Sequence, residues 1–94
     1  MTKCSTLYNL YADKNICITA EEAQIKLSPY AQQFNITLSN DEIILGSDRN
    51  SLGVLKIKSV CAIVDEPECI YIILNGCIYA LYKATSEIKV DIRD

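Results

Sequence analysis

The chain has 94 residues, of which 50% are hydrophobic and 22% charged, and its formal net charge at pH 7 is −3. This length and composition indicate one folded domain, residues 1–94, and argue against a disordered chain. The acidic charge and the absence of a basic cluster exclude a phosphate-binding surface, so we expect no nucleic-acid partner. No segment reaches the roughly 20 apolar residues of a membrane span, and the first residues lack the apolar stretch of a signal peptide. We therefore expect no membrane partner and a cytoplasmic location.

The first third of the chain gives ambiguous signals. Residues 7–11 fit an amphipathic helical turn or a strand, and residues 16–18 fit a short strand. Thr19-Ala20-Glu21-Glu22 matches a capping box, which predicts a short helix ending at Leu27, although residues 23–27 also alternate as a strand would. Ser28-Pro29 predicts a second helical turn with Pro at its first position. We expect this region to cover an apolar face of a sheet.

The middle of the chain reads as strands and loops. Residues 34–38 alternate apolar and polar, and residues 42–45 predict a short strand. Residues 46–51, Gly-Ser-Asp-Arg-Asn-Ser, form the most loop-like stretch. Residues 53–64 then predict one long strand.

Residues 34–60 resemble the first strands of fibroblast-growth-factor-type β-trefoils, in the order strand, turn, Gly-Ser-Asp-Arg-Asn-Ser loop and strand. The resemblance covers under a third of the chain. A trefoil needs more strands than 94 residues can supply, and the basic heparin-binding character that the resemblance implies is missing. We therefore do not transfer the function of that family.

The strongest signal in the chain is a hairpin. Two runs of β-branched and aromatic residues, 69–74 and 77–82, flank Asn75-Gly76, a dipeptide that tolerates positive φ at both turn positions. The hairpin predicts a register in which three pairs of residues face each other: Leu74 and Cys77, Ile72 and Tyr79, Ile70 and Leu81.

The neighbouring turns extend this register. Across residues 65–68 we expect Val64 to pair with Glu68 or Cys69, and across residues 83–86 we expect Tyr82 to pair with Glu87. Two faces follow. The predicted core face comprises Leu55, Ile57, Cys61, Ile63, Ile70, Ile72, Leu74, Cys77, Tyr79, Leu81, Ile88, Val90 and Ile92. The opposite side, here called the second face, comprises Lys56, Lys58, Val60, Ala62, Val64, Cys69, Tyr71, Ile73, Ile78, Ala80, Tyr82, Glu87, Lys89 and Asp91.

Candidate chemistry is sparse. The chain has no His, which excludes His-activated nucleophiles and a His general base. Its five cysteines lack paired C-x-x-C spacing, so we interpret them as buried reduced thiols and expect no metal and no cofactor. The acidic pairs at 21–22 and in the turn 66–68 are explained by a helix start and by solvation. We predict that the chain is not an enzyme.

These observations predict an α+β domain: an antiparallel β meander of about six strands, strongly twisted or partly closed, with a short helical N-terminal region. The expected function is a protein-interaction module that masks or bridges a partner, another protein or a second copy in a homodimer, through the aromatic second face or a sheet edge. The predicted partner-binding residues are Tyr71, Tyr82, Ile73, Lys56, Lys58 and Arg49. The alternative is a small-ligand-binding, barrel-like domain with an apolar cavity beside Cys61, Cys77 and Tyr79.

The composition also indicates a source. Ile, Asn, Lys and Tyr are abundant while Ala, Gly, Arg and His are scarce, as is typical of AT-rich genomes such as those of many viruses, phages and low-GC bacteria. We therefore expect a viral or phage accessory protein.

Overall fold

A computed structural model describes residues 2–12, 16–46 and 53–92. In these ranges the chain forms three α-helices, seven strands and two 3-10 helices. The strands form two antiparallel sheets: sheet A with the order β1-β2-β3 and sheet B with the order β4-β5-β6-β7. The prediction of mixed helices and antiparallel strands is confirmed. The strands do not form a single six-stranded meander, and the two sheets do not close into a barrel.

The N-terminal third is helical. Helix α1 spans Thr2–Tyr11 and helix α2 spans Ala20–Leu27. The helix start that the capping-box pattern predicts is confirmed at Thr19, whose hydroxyl accepts a hydrogen bond of 3.0 Å from the amide of Glu22. Residues 16–18 do not form a strand.

A second helical segment follows α2 directly. The 3-10 helix Ser28–Tyr30 has Pro near its start, as Ser28-Pro29 predicts, and leads into helix α3, Ala31–Phe34. Asn35 ends α3 in the left-handed conformation, with φ 55°. The predicted strand over residues 34–38 therefore shrinks to β1, Thr37–Leu38. Alternation alone did not reveal that Phe34 closes a helix.

Sheet A contains β1, β2 (Glu42–Leu45) and β3 (Gly53–Lys56). The prediction of one strand over residues 53–64 is wrong, because the 3-10 helix Ile57–Ser59 interrupts it. At this corner the chain leaves sheet A and enters sheet B. The side chain of Ile57 is buried at the corner, so hydrophobic periodicity continues through the break and hides it.

Sheet B contains β4 (Val60–Asp65), β5 (Cys69–Leu74), β6 (Cys77–Tyr82) and β7 (Glu87–Ile92). The pairs Ile72–Tyr79 and Ile70–Leu81 confirm the predicted hairpin register, and Tyr82–Glu87 confirms the last turn. Across the first turn Val64 pairs with Tyr71, which differs by two residues from the expected pairing with Cys69 and by three from the alternative with Glu68. The predicted faces correspond to the pairing with Cys69. A shift of two residues preserves the face of every side chain.

The turn of the hairpin differs in one respect from its sequence signal. Residues with positive φ in the described ranges are Asn35, Gly46 and Ser86, so neither Asn75 nor Gly76 uses the conformation that this dipeptide tolerates. The register is therefore set by the flanking strands and not by a primed turn.

The core divides into two clusters on opposite faces of sheet B. The larger cluster joins α2, α3 and sheet A to the core face, and its buried residues are Ile18, Ala23, Leu27, Phe34, Ile36, Ile43, Leu45, Leu55, Ile57, Val60, Ile63, Ile70, Ile72 and Leu81. The smaller cluster joins α1 to the second face, and its buried residues are Leu7, Tyr8, Ala12, Cys61, Ile73 and Ile78. Sheet B is therefore covered on both sides.

A β-bulge exchanges two side chains between these faces. The register shifts between Val60 and Ala62, so Cys61 is the additional residue. Val60, predicted for the second face, lies in the larger cluster, and Cys61, predicted for the core face, lies under α1. Strict alternation cannot anticipate this change.

Candidate functional site

Helix α1 covers the middle of the second face. Leu7 and Tyr8 pack against Ile73 and Ile78, and the Tyr8 hydroxyl donates a hydrogen bond of 3.1 Å to the main-chain carbonyl of Asp91. Ile73 consequently has 0% of its surface exposed. Of the predicted partner-binding residues, Ile73 is therefore inaccessible with α1 in place.

A groove remains open between α1 and β7. It measures about 350 Å³ and is lined by Lys3, Cys4, Tyr71, Ala80, Tyr82, Lys89, Val90 and Asp91. Tyr82 keeps 37% of its surface exposed, and Tyr71 is half-buried. The two predicted tyrosines therefore lie in one groove at the margin of the second face.

The surroundings of this groove raise the pKa of one phenol, Tyr71, and of one thiol, Cys4. Burial, together with a hydrogen bond to Cys69, raises the pKa of Tyr71. Burial also raises the pKa of Cys4, and the negative charge of Asp91 adds to the effect. The ammonium of Lys89 lies 5.5 Å from the centre of the Tyr82 ring, within cation–π distance. The groove thus offers an aromatic surface and a cation, but no thiolate nucleophile at Cys4 near neutral pH.

Strand β7 forms the adjoining edge of sheet B. Within the described ranges β7 pairs only with β6. Val90 and Ile92 are 39% and 67% exposed, so the prediction that both belong to the core is wrong. They lie on the core face, but at the end of the sheet where the larger cluster no longer reaches them. Glu87, Lys89 and Asp91 alternate with them on the second face, as their register with β6 requires.

The opposite edge of sheet B is already occupied. Two main-chain carbonyls of β4 accept hydrogen bonds from outside the sheet: Val60 from the amide of Ile18 at 3.0 Å, and Ile63 from the ammonium of Lys26 at 2.9 Å. These contacts block β4 as a template for another strand. On β7 the carbonyl of Asp91 also accepts a side-chain hydrogen bond, from Tyr8, but within the described chain only β6 pairs with β7 through the main chain. β7 is therefore the edge of sheet B that can accept another strand.

The predicted basic residues lie elsewhere. Lys56 belongs to β3 of sheet A and forms an ion pair of 2.6 Å with Glu42, whose hydrogen bond raises the pKa of Lys56. Lys58 lies exposed at the corner between the sheets. Arg49 lies outside the described residues. Because sheets A and B are separate, the structure does not bring Lys56 or Lys58 to the Tyr71–Tyr82 groove as the single-strand prediction implied.

A second concavity lies at the hairpin turn. This cleft of about 500 Å³ is lined by Ile16, Cys17, Lys58, Ser59, Cys61, Leu74, Asn75, Gly76 and Cys77. The Cys61 thiol donates a hydrogen bond of 3.2 Å to the side-chain carbonyl of Asn75, and burial raises the pKa of Cys77. Tyr79, expected beside this cavity, is not among its lining residues. In the described part of the chain, no group of three or more Cys, Asp or Glu side chains is placed to hold a metal ion.

Two further findings bear on function. None of the described helices is long and apolar enough to cross a membrane. Comparisons with protein-family models, with curated proteins and with solved structures found no match for this chain.

Proposed function

We propose that this chain is a small non-catalytic protein-interaction module that masks or bridges a partner protein through β7 and the adjoining Tyr71–Tyr82 groove. The observation that carries the proposal is the contrast between the two edges of sheet B. The main-chain amide of Ile18 and the ammonium of Lys26 occupy β4, whereas β7 presents exposed apolar side chains and has no second neighbouring strand in the described chain. The compositional bias supports an accessory protein of a virus or phage as the source.

Strand addition is the recognition mode that this geometry supports. An extended segment placed beside β7 gains main-chain hydrogen bonds along the strand, and its alternate side chains contact the two faces separately. On one side they meet Val90 and Ile92, and on the other they reach the groove with Tyr82 and Lys89. Apolar contacts provide affinity, while the charged side chains of β7 select among partners.

The raised thiol pKa values support a non-catalytic role. A cysteine nucleophile requires a lowered pKa, but burial raises the pKa of Cys4, Cys69 and Cys77. No described side-chain polar atom is buried without a hydrogen-bond partner, so no orphaned donor or acceptor indicates a reaction centre.

Peptide selection with chemical-shift mapping tests the proposal. Extended peptides selected from a random displayed library should perturb the amide signals of β7 and of the groove. Binding should be lost in the double variant Val90→Lys, Ile92→Lys. The matched control is Ile25→Lys, because Ile25 is as exposed as Ile92 and lies on α2, the helix that contacts β4 at the opposite edge of sheet B. Selected peptides that bind Val90→Lys, Ile92→Lys as tightly as the unaltered chain would refute the proposal.

The cleft at the hairpin turn supports a second candidate, a small-ligand-binding domain. Its volume and its mixed lining of thiol, amide and ammonium groups beside Cys61 and Cys77 are the specific observations in favour. Native mass spectrometry of the purified chain would detect a co-purifying ligand. If addition of that ligand changes the chemical shifts of Ser59, Asn75 and Gly76 and leaves those of β7 unchanged, the result would favour this function over the first.

A further inference from the structure

We infer that the partner of β7 is a second copy of this chain, with the two β7 strands antiparallel and a two-fold axis passing through Val90. This inference rests on the proposed function, because it names the occupant of the same edge. The pairing would join two copies of sheet B into one continuous eight-stranded sheet.

Two-fold symmetry restricts the possible registers. Side chains that face each other across antiparallel strands lie on the same face of the sheet, and an axis perpendicular to the sheet keeps each face on its own side. Each residue must therefore face one an even number of positions away, or itself. For β7 the axis can pass through Ile88, Lys89, Val90 or Asp91, and in each case that residue faces its own copy.

The charges of β7 disfavour two of these four registers. With the axis at Lys89, the two Lys89 ammonium groups face each other and Glu87 faces Asp91, so every charged pair repels. With the axis at Asp91, two carboxylates face each other. With the axis at Val90, each Lys89 faces an Asp91 of the other copy, which gives two attractive pairs. Like charges directly opposite are destabilising, so the first two registers are disfavoured.

The remaining register, with the axis at Ile88, pairs each Glu87 with a Lys89 of the other copy, but the backbone disfavours it. It would bring Ser86 opposite Val90, and Ser86 lies in the turn before β7 with φ 63°, which is not an extended conformation. The strand overlap would therefore be shorter than with the axis at Val90, which uses residues 88–92 in full.

The same register also buries the exposed apolar residues. With the axis at Val90, the two Val90 side chains face each other and each Ile88 faces an Ile92. Six aliphatic side chains then meet on the core face, including Ile92, which is among the most exposed large apolar residues of the described chain. Charge on one face and apolar contact on the other thus favour the same alignment.

Charge reversal tests this arrangement without altering the core. Sedimentation velocity of the unaltered chain, up to about 1 mM, should show a species of twice the 10.5 kDa monomer mass. Lys89→Glu and Asp91→Lys should each raise the dissociation constant about tenfold or more, because attractive pairs become repulsive. The double variant Lys89→Glu, Asp91→Lys should restore the dimer, because each reversed pair is again complementary.

Mixing the two single variants provides the sharpest test. The Lys89→Glu copy presents two carboxylates and the Asp91→Lys copy two ammonium groups, so the mixture should form heterodimers although neither variant associates alone. The control Lys58→Glu makes the same change in net charge at the corner between the sheets and should leave the dimer intact.

Two results would overturn the inference. One is a chain that stays monomeric at about 1 mM; the other is a dimer that Lys89→Glu and Lys58→Glu affect equally. Neither result decides the proposed function, because peptide binding at β7 is measured separately. A monomeric chain that still binds selected peptides at β7 would reject the second copy as partner and retain the interaction module.

Discussion

Helix α1 decides how much of the second face a partner can reach, and Leu7→Ala tests that contact. Leu7 is 3% exposed and packs in the smaller cluster with Ile73 and Ile78. Leu10, on the same helix, is 58% exposed. The two leucines undergo the same chemical change in Leu7→Ala and Leu10→Ala, but only Leu7 belongs to the buried cluster that contains Ile73 and Ile78 of sheet B.

The expected cost follows from the carbons removed. Truncation of Leu7 deletes three buried carbons, worth about 0.8 kcal/mol each, or about 2.4 kcal/mol in total. A residual cavity between α1 and sheet B would add to this loss, and settling of the helix would reduce it. If α1 detaches as a unit before the remainder unfolds, the loss is limited to the free energy that docks the helix. Leu10→Ala should change the free energy of unfolding by less than about 0.5 kcal/mol.

Urea unfolding monitored by circular dichroism measures both variants. An equal slope with a lower midpoint would show that Leu7→Ala changes stability and not the surface exposed on unfolding. Amide hydrogen exchange separates detachment from global unfolding, since detachment accelerates exchange in residues 2–11 alone. Equal midpoints for Leu7→Ala and Leu10→Ala, within about 0.5 kcal/mol, would refute the packing of α1 on the second face.

Three further predictions concern the turns, the cap and the ionisable groups. Gly76→Ala should be neutral or raise stability by about 0.4–1 kcal/mol, because the new methyl group meets no atom within 4 Å and the φ of Gly76 is not positive. Gly46→Ala should cost about 1 kcal/mol or more, because Gly46 has φ 84°. Equal melting temperatures for the two variants would contradict this. Thr19→Ala should cost about 1 kcal/mol and Thr19→Ser much less, because only the former removes the hydroxyl that caps α2; a loss of the same size in both would point to a lost methyl contact instead. The free energy of unfolding should fall as pH rises above about 9. Folding raises the pKa of several thiols and phenols, so the unfolded chain releases these protons at a lower pH than the folded chain, and the stabilisation is lost as pH rises through the pKa values of the folded chain. A urea midpoint that stays constant from pH 7 to about 11 would contradict this. The groups are Cys4, Cys69, Cys77, Tyr71 and Tyr79.

The hairpin could be predicted because its signals are local and agree. Two runs of equal length, the β-branched content and the polar turn all specify one register, and a neighbouring-turn error of two residues left the faces unchanged. The cap at Thr19 is local in the same sense, since donor and acceptor lie three residues apart.

The features that the sequence did not reveal depend on contacts between distant segments. At the corner Ile57–Ser59 the buried residue Ile57 continues the alternation of buried and exposed residues from the strands on either side, so the sequence pattern does not show the break. The bulge at Cys61 adds one residue to the strand, and no Gly or Pro marks its position. Helix α1 could not be assigned from the sequence, because Leu7, Leu10 and Tyr11 fit either an amphipathic helical turn or a strand. Tyr71 and Tyr82 were brought together by a correct register, whereas Lys56 and Lys58 were added to their face through the missed corner.

The charged residues of β7 have two roles: they oppose non-specific strand pairing and they determine the register of a specific pairing. A flat apolar edge would pair with any strand in any register, and alternating charges are a known defence against such association. Glu87, Lys89 and Asp91 differ from a uniform defence because their signs alternate. A strand carrying only Lys would repel its own copy in every register, while the order Glu-x-Lys-x-Asp repels it with the axis at Lys89 or Asp91 and attracts it with the axis at Ile88 or Val90. The charge pattern that blocks non-specific pairing, together with the turn at Ser86, therefore specifies one self-complementary alignment. The mixture of Lys89→Glu and Asp91→Lys distinguishes this specificity from simple protection.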